Sequence, residues 1–205
     1  MMNTVIDPIA RGHLDPLALF THNLAQHRRL FEALDELAAP IAAAAARMTD
    51  TLARGGRLFF FGNGGSAADS QHLAAELSGR LRRERRPLAA LALSADTAVL
   101  TAIANDYGYE QLFARQLAAL ARRGDCAIGI STSGASPNVL RAFEAARALG
   151  VHTVGLLGRD GGAALQRCEQ AVVIAHHDSA RIQEAHIFVG HTWCEQIEIG
   201  LGLAG

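Results

Sequence analysis

Five short apolar runs, RLFFFG at 57–62, AALAL at 89–93, CAIGI at 126–130, VHTVGLL at 151–157 and AVVIA at 171–175, alternate with stretches of helical length. Apolar runs this short and continuous suit strands covered on both faces, as in parallel sheets, where neighbouring strands need a helical crossover between them. The stretches 67–80, 97–104, 109–123 and 137–149, rich in Ala, Leu, Glu and Arg, supply those crossovers. The pattern predicts an α/β chain with a doubly wound, open, five-stranded parallel sheet.

Helices extend this core at both ends. Residues 16–54 read as helix, with Phe31, Leu34, Ala38 and Ile41 on one stripe and Pro40 dividing the stretch in two. A last helix beginning near Ser179 carries Ile182, Ile187, Phe188, Val189, Trp193 and Ile197 around much of its circumference. A terminal helix apolar on several sides needs a partner beyond its own sheet, so we expect an oligomer in which the first and last helices pack between subunits. We expect a flexible N-terminus over 1–15, one domain over 16–205 with its core at about 55–200, and a tail, GLGLAG, that frays.

Composition narrows the chemistry. All 19 cationic residues are Arg, and the absence of Lys excludes a Walker P-loop, a Schiff-base aldolase and a pyridoxal-phosphate enzyme. A net charge of −1 gives no electrostatic footprint for nucleic acid or an anionic membrane. Cys126, Cys168 and Cys194 form no C-x-x-C, which points away from disulfides and zinc knuckles and toward a reducing cytoplasm. The first twenty residues lack a signal-peptide core, and no later stretch is long and apolar enough to span a bilayer.

In an open parallel sheet, ligands bind beyond the carboxyl ends of the strands. The first strand empties into Gly62-Asn63-Gly64-Gly65-Ser66 just before a helix. Glycines admit a close ligand and the helix N-terminus offers free N–H groups, so the loop suits a phosphate; a plain tight turn with Ser66 as N-cap suits it equally. The third strand empties into Ser131-Thr132-Ser133-Gly134-Ala135-Ser136-Pro137, a second anion cradle or a Ser-rich capping turn. A cradle of hydroxyls and amides with no cation favours a phosphate monoester on a small sugar.

His72 and Glu76 stand at i and i+4 on the helix after the glycine loop, where they suit metal binding, acid–base work or a surface ion pair within reach of whatever that loop holds. The last helix offers Gln183, Glu184, His186 and His191. Gln183 and His191, eight residues apart on one helix, lie about 12 Å apart along its axis and about 80° around it, too far to share one ion without a reach, an irregular helix or a second subunit. Asn105 and Asp106 are expected in a loop after 97–104, contacting sugar hydroxyls or forming an Asx turn. His13, His22, His27, His152, His176 and His177 read as surface or core-edge residues. The arginine-dense LRRERRP at 81–87 reads as a solvated edge or a contact to a neighbouring subunit.

Taken together, FFFGNGGSAADSQHLAAELSGR, LSADTAVLTAIANDYGYEQLFARQ, GISTSGASPNVLRA and SARIQEAHIFVGH, in that order, resemble the phosphoheptose isomerases of the sugar-isomerase (SIS) fold over nearly all of residues 20–200. The resemblance implies a cytoplasmic homotetramer that converts sedoheptulose 7-phosphate to D-glycero-D-manno-heptose 7-phosphate, the first step of heptose supply for lipopolysaccharide. By motif, it implies that Asn63, Gly64, Gly65 and Ser66 line the substrate, that Ser131, Thr132, Ser133 and Ser136 hold its phosphate, and that Asn105 and Asp106 touch the sugar. It also implies one Zn2+ per subunit on His72, Glu76, Gln183 and His191, with Glu76 and His191 moving protons and Glu76 and Gln183 also facing substrate.

Three other roles share parts of these motifs. Non-catalytic relatives that bind the bacterial replication initiator resemble the chain at GNG-S, LTAIAND and SARIQE, but the acidic Glu76 and the ISTSGAS loop follow the isomerase pattern. A sugar-phosphate sensor would need an attached output domain for which this chain has no room. A lyase or etherase of amino-sugar phosphates would keep the phosphate cradle without needing the His72, Glu76, Gln183 and His191 set.

Overall fold

A computed structural model describes residues 15–203. The expected flexible segment 1–15 falls outside them except for Asp15, whose carboxylate accepts from the Leu17 N–H and caps α1 (Pro16–Glu32). A 3-10 turn over Ala33–Leu37 then leads into α2 (Ala38–Ala53). The helical preface therefore breaks upstream of Pro40, which sits in the first turn of α2 where its missing N–H has no helical partner to lose.

The sheet contains β1 (Leu58–Gly62), β2 (Ala90–Ala92), β3 (Cys126–Ser131), β4 (His152–Gly158) and β5 (Gln170–Ile174). Its order is β2-β1-β3-β4-β5 and every pairing is parallel. Between and after the strands run α3 (Gly65–Ser78), α4 (Thr97–Tyr107), α5 (Leu112–Leu120), α6 (Pro137–Ala148) and α7 (Ser179–Gly200). The expected doubly wound α/β sheet is the observed one. Winding reverses between β1 and β3, which makes their carboxyl ends the switch point where ligands bind in such sheets.

Alternation along β1 divides the core. Leu58 and Phe60 join Met48, Leu73, Val189 and Trp193 on the face covered by α2, α3 and α7, while Phe59 and Phe61 join Phe113, Val139 and Phe143 under α5 and α6. Gly129 has to be small, because a Cβ there would meet the Phe143 ring at 2.5 Å and displace its edge-on packing with Phe61. At the opposite end of the strands, buried Asp125 accepts from the Arg57 backbone N–H at 2.8 Å, the Arg57 guanidinium at 3.0 Å and the Arg122 N–H at 2.9 Å, tying the start of β3 to that of β1.

Much of the apolar surface of α7 is used within the chain. Ile182, Val189, Trp193 and Ile197 are buried, and the Trp193 indole donates to the Ile41 carbonyl of α2 at 3.0 Å; Phe188 stays 47% exposed. No helix among the described residues is long and apolar enough to cross a membrane.

His186, on the inner side of α7, is fully buried, and neither ring nitrogen makes a hydrogen bond of good geometry. Burial pushes its pKa from 6.5 down to about 4, and the nearby Leu157 backbone offsets only part of that. The unfolded chain takes up this proton below about pH 6.5 and the folded chain only near 4, so the folded state loses stability as pH falls through that window. Differential scanning calorimetry between pH 7 and pH 4.5 should show the wild-type Tm falling more than that of His186→Leu, by roughly 5 °C; parallel curves would refute the assignment.

Candidate active site

Two loops meet at the switch point. After β1 only Asn63 and Gly64 precede α3, and Gly64, at φ 55° and ψ −122°, takes a backbone conformation that L side chains rarely adopt. A Cβ on Gly62 would lie 2.7 Å from the Ile130 carbonyl, so this glycine lets β1 and β3 close up beneath the loops. Ser66 does not cap the helix as a plain turn would require: Gly64 is the N-cap, and Ser66 is buried as the second helical residue.

The loop after β3 is also more than a capping turn. Ser136 is the N-cap of α6, yet its hydroxyl makes no capping bond and lies 3.4 Å from the Ser131 hydroxyl. Ser131 Oγ accepts from the Gly134 N–H at 3.1 Å and Ser133 Oγ from the Ala135 N–H at 3.2 Å, which curls the chain around its own hydroxyls. Thr132 lies beside them, half-buried.

An amide pair that the sequence reading missed links the two loops. Asn63 donates to Asn138 Oδ1 at 2.8 Å, and Asn138 donates back to Asn63 Oδ1 at 2.7 Å. The Tyr109 hydroxyl adds a 3.0 Å bond to Asn63 Oδ1. Asn138 is buried and follows the N1 proline of α6, a position where a large polar side chain has to find a partner. A cleft of about 250 Å³ opens between this network and α4, lined in part by Asn63, Gly64, Ser94, Thr101 and Tyr109.

Asn105 and Asp106 are not in a loop. They form part of the last turn of α4, both exposed, with Asn105 Nδ2 donating to Asp106 Oδ1 at 2.7 Å. The helix runs on to Tyr107 because nothing before Gly108, at φ 88°, interrupts it.

Lower on α3, His72 and Glu76 meet His191 of α7. His72 Nε2 and His191 Nε2 are 2.8 Å apart, Glu76 Oε1 is 3.6 Å from His72 Nε2, and one ligand atom from each residue lies within 4.8 Å of the others. Two imidazoles and a carboxylate on one partly exposed patch could hold a metal ion, and they are the ligand types found in catalytic zinc sites. Asp69, one turn above His72, has a buried oxygen without a partner, and burial pushes its carboxyl up to about 6, opposed by the charge of His72.

Gln183 lies toward the start of α3. Its amide presses on Gly65 at the start of α3, where a Cβ would overlap it. His191 lies two turns further along the unbroken α7, so the axial separation expected from sequence persists. The pair on α3 stands below the glycine loop. His72 is about 10 Å and Glu76 about 16 Å along the helix axis from Gly65, because α3 runs away from the loop end of the sheet.

The SIS domain family model matches residues 22–158. The phosphoheptose isomerase of Trichlorobacter lovleyi is 51% identical over 179 residues, covering 87% of this chain and 91% of that protein. The solved phosphoheptose isomerase of Neisseria gonorrhoeae superposes with a TM-score of 0.85 at 40% identity, covering 89% of this chain and 98% of that one. That of Francisella tularensis superposes with a TM-score of 0.88 at 34% identity, covering 91% and 100%.

Gly134 tests the cradle. Its φ is +61°, and a Cβ there would collide with the Gly161 carbonyl, a rigid backbone neighbour. Gly134→Ala should weaken sugar-phosphate binding, measured by calorimetric titration, by about tenfold or more while far-UV dichroism stays unchanged. Unchanged affinity would remove this loop from the binding site.

Proposed function

The chain belongs to the phosphoheptose isomerases of the SIS-domain family, and from that membership we propose that it converts sedoheptulose 7-phosphate to D-glycero-D-manno-heptose 7-phosphate. It is an isomerase. The observation that carries the reading is the convergence of His72 and Glu76 with His191, which is 119 positions from His72 in sequence. In the cell it would act in the cytoplasm, supplying heptose for a nucleotide-activated precursor of lipopolysaccharide or capsule. The replication-initiator reading is not favoured, since relatives at about half identity carry the isomerase name.

Moving the carbonyl from C2 to C1 takes a proton from C1 to C2 and moves protons between the two oxygens in the opposite sense. In this reading the Glu76 carboxylate takes the C1 proton, and His191 gives a proton to the C2 oxygen, leaving an enediol. Glu76 then returns its proton to C2 while His191 recovers one from the C1 hydroxyl, so the catalyst ends as it began. His72, Glu76 and His191 would hold the Zn2+, one per subunit, whose Lewis acidity when bound polarises the carbonyl. The family resemblance adds Gln183 to that set, by a reach along α7 or from another subunit.

Ser131, Thr132, Ser133 and Ser136 would hold the phosphate with Asn63, Gly64, Gly65 and Ser66 beside it, so that binding energy far from the reacting carbons orients them. Asn105 and Asp106 would reach sugar hydroxyls from the end of α4. The family resemblance implies a homo-oligomer, in tetrameric form, and in it one subunit's cradle would face another's His72 and Glu76. Exposed Phe188, one turn before His191, lies on the face this assembly would cover.

Purified protein incubated with sedoheptulose 7-phosphate should produce the aldoheptose phosphate, followed by NMR, and lose activity with a zinc chelator. Glu76→Gln should lower kcat by about 10²–10⁴-fold with little change in KM. A fully active variant would remove Glu76 as the base.

A further inference from the structure

The arginine-dense segment after α3 is not uniformly a solvated edge. Arg80 pairs with Glu84 and Arg82 with Glu195, all in ordinary exposed ion pairs. The Arg85 side chain, by contrast, is 1% exposed, and its Nε donates to Glu198 Oε1 of α7 at 2.8 Å. The rest of its guanidinium binds backbone. Nη2 donates to the Glu76 carbonyl at 2.8 Å, and Nη1 to the carbonyls of Leu77 at 2.8 Å, Gly79 at 2.9 Å and Arg86 at 3.1 Å. The Glu76 and Leu77 carbonyls belong to the last turn of α3, which has no helical partners for them.

One guanidinium thus grips the backbone of Glu76 itself and, through Glu198, the helix that carries His191 two turns earlier. Stability alone does not explain this arrangement. A buried ion pair costs desolvation that an apolar pair of similar volume avoids. What a forked, fully charged donor adds is a fixed distance and orientation between two helices. An error of about 1 Å at a reacting centre can cost about a hundredfold in rate.

We propose that Arg85 and Glu198 are positioning residues that clamp the end of α3 to α7 and set the spacing of Glu76 and His72 against His191. This rests on the reading of those three residues as the metal and proton-transfer centre. Neither clamp residue touches substrate. The clamp acts through the backbone of Glu76 and through the pitch of α7.

The test compares wild type with Arg85→Lys, which keeps the charge but loses the fork, and with the double variant Arg85→Met/Glu198→Leu, which replaces the pair with apolar volume. Each is checked for folding by dichroism and gel filtration, then assayed for kcat and KM and titrated with Co2+, followed by its visible absorption. Positioning predicts folded variants whose kcat falls about 10–100-fold, with KM within about threefold and Co2+ binding at least tenfold weaker. If the double variant does not fold, Arg85→Lys decides by the same measurements. Folded variants with wild-type kcat and Co2+ affinity would overturn the clamp alone. A wild-type protein that neither isomerises the heptose phosphate nor binds Co2+ would overturn the functional reading, and the clamp with it.

Discussion

The pairing of β1 with β3, strands that are not consecutive in the chain, is the constraint on which the rest of the structure depends. Because the connection through β2 leaves on one side of β1 and returns on the other, the crossover helices fall on opposite faces of the sheet. That puts the glycine loop and the serine loop side by side, close enough for Asn63 and Asn138 to exchange amide bonds across them. The same winding sends α3 to the face where α2 and α7 pack, and so brings His72 and Glu76 against His191.

Polar groups buried on that face show where stability and function pull apart. His186 is held neutral among apolar neighbours, and Asp69 keeps an oxygen without a partner beside His72. Each such group costs free energy that an apolar side chain would not. They lie on α3 and α7, the helices that carry His72, Glu76 and His191, as expected of a site whose geometry outranks local stability. Among the described residues, the buried side-chain atoms without a partner lie on α3 and α7 and not on α5 or α6, which cover the opposite face packed from Phe61, Phe113 and Phe143.

The strands and the switch-point loops were legible because fully buried parallel strands write themselves as continuous apolar runs and loops write themselves in Gly and Ser. Errors fell where two local rules competed. Pro40 suggested a break at its own position, but a proline in a first turn is compatible with the helix it opens. Asn105 and Asp106 favour turns on their own, yet α4 absorbed them because the next true stop was Gly108. Ser66 looked like a cap, and the cap fell to Gly64, whose backbone angles only glycine takes easily. Arg85 was hidden among five arginines in seven residues, since nothing in composition marks which one turns inward.

By itself the sequence determined the parallel sheet, the two anion-suited loops and the i, i+4 pairing of His72 with Glu76, because each depends only on periodicity and neighbouring residues. Tertiary structure alone decided that His191 meets that pair while Gln183 lies against Gly65, two turns away, and that Arg85 reaches Glu198 across 113 positions. The reason is that distances between side chains on different helices are set by how the helices pack on a common sheet face, and no local pattern in the chain encodes that packing.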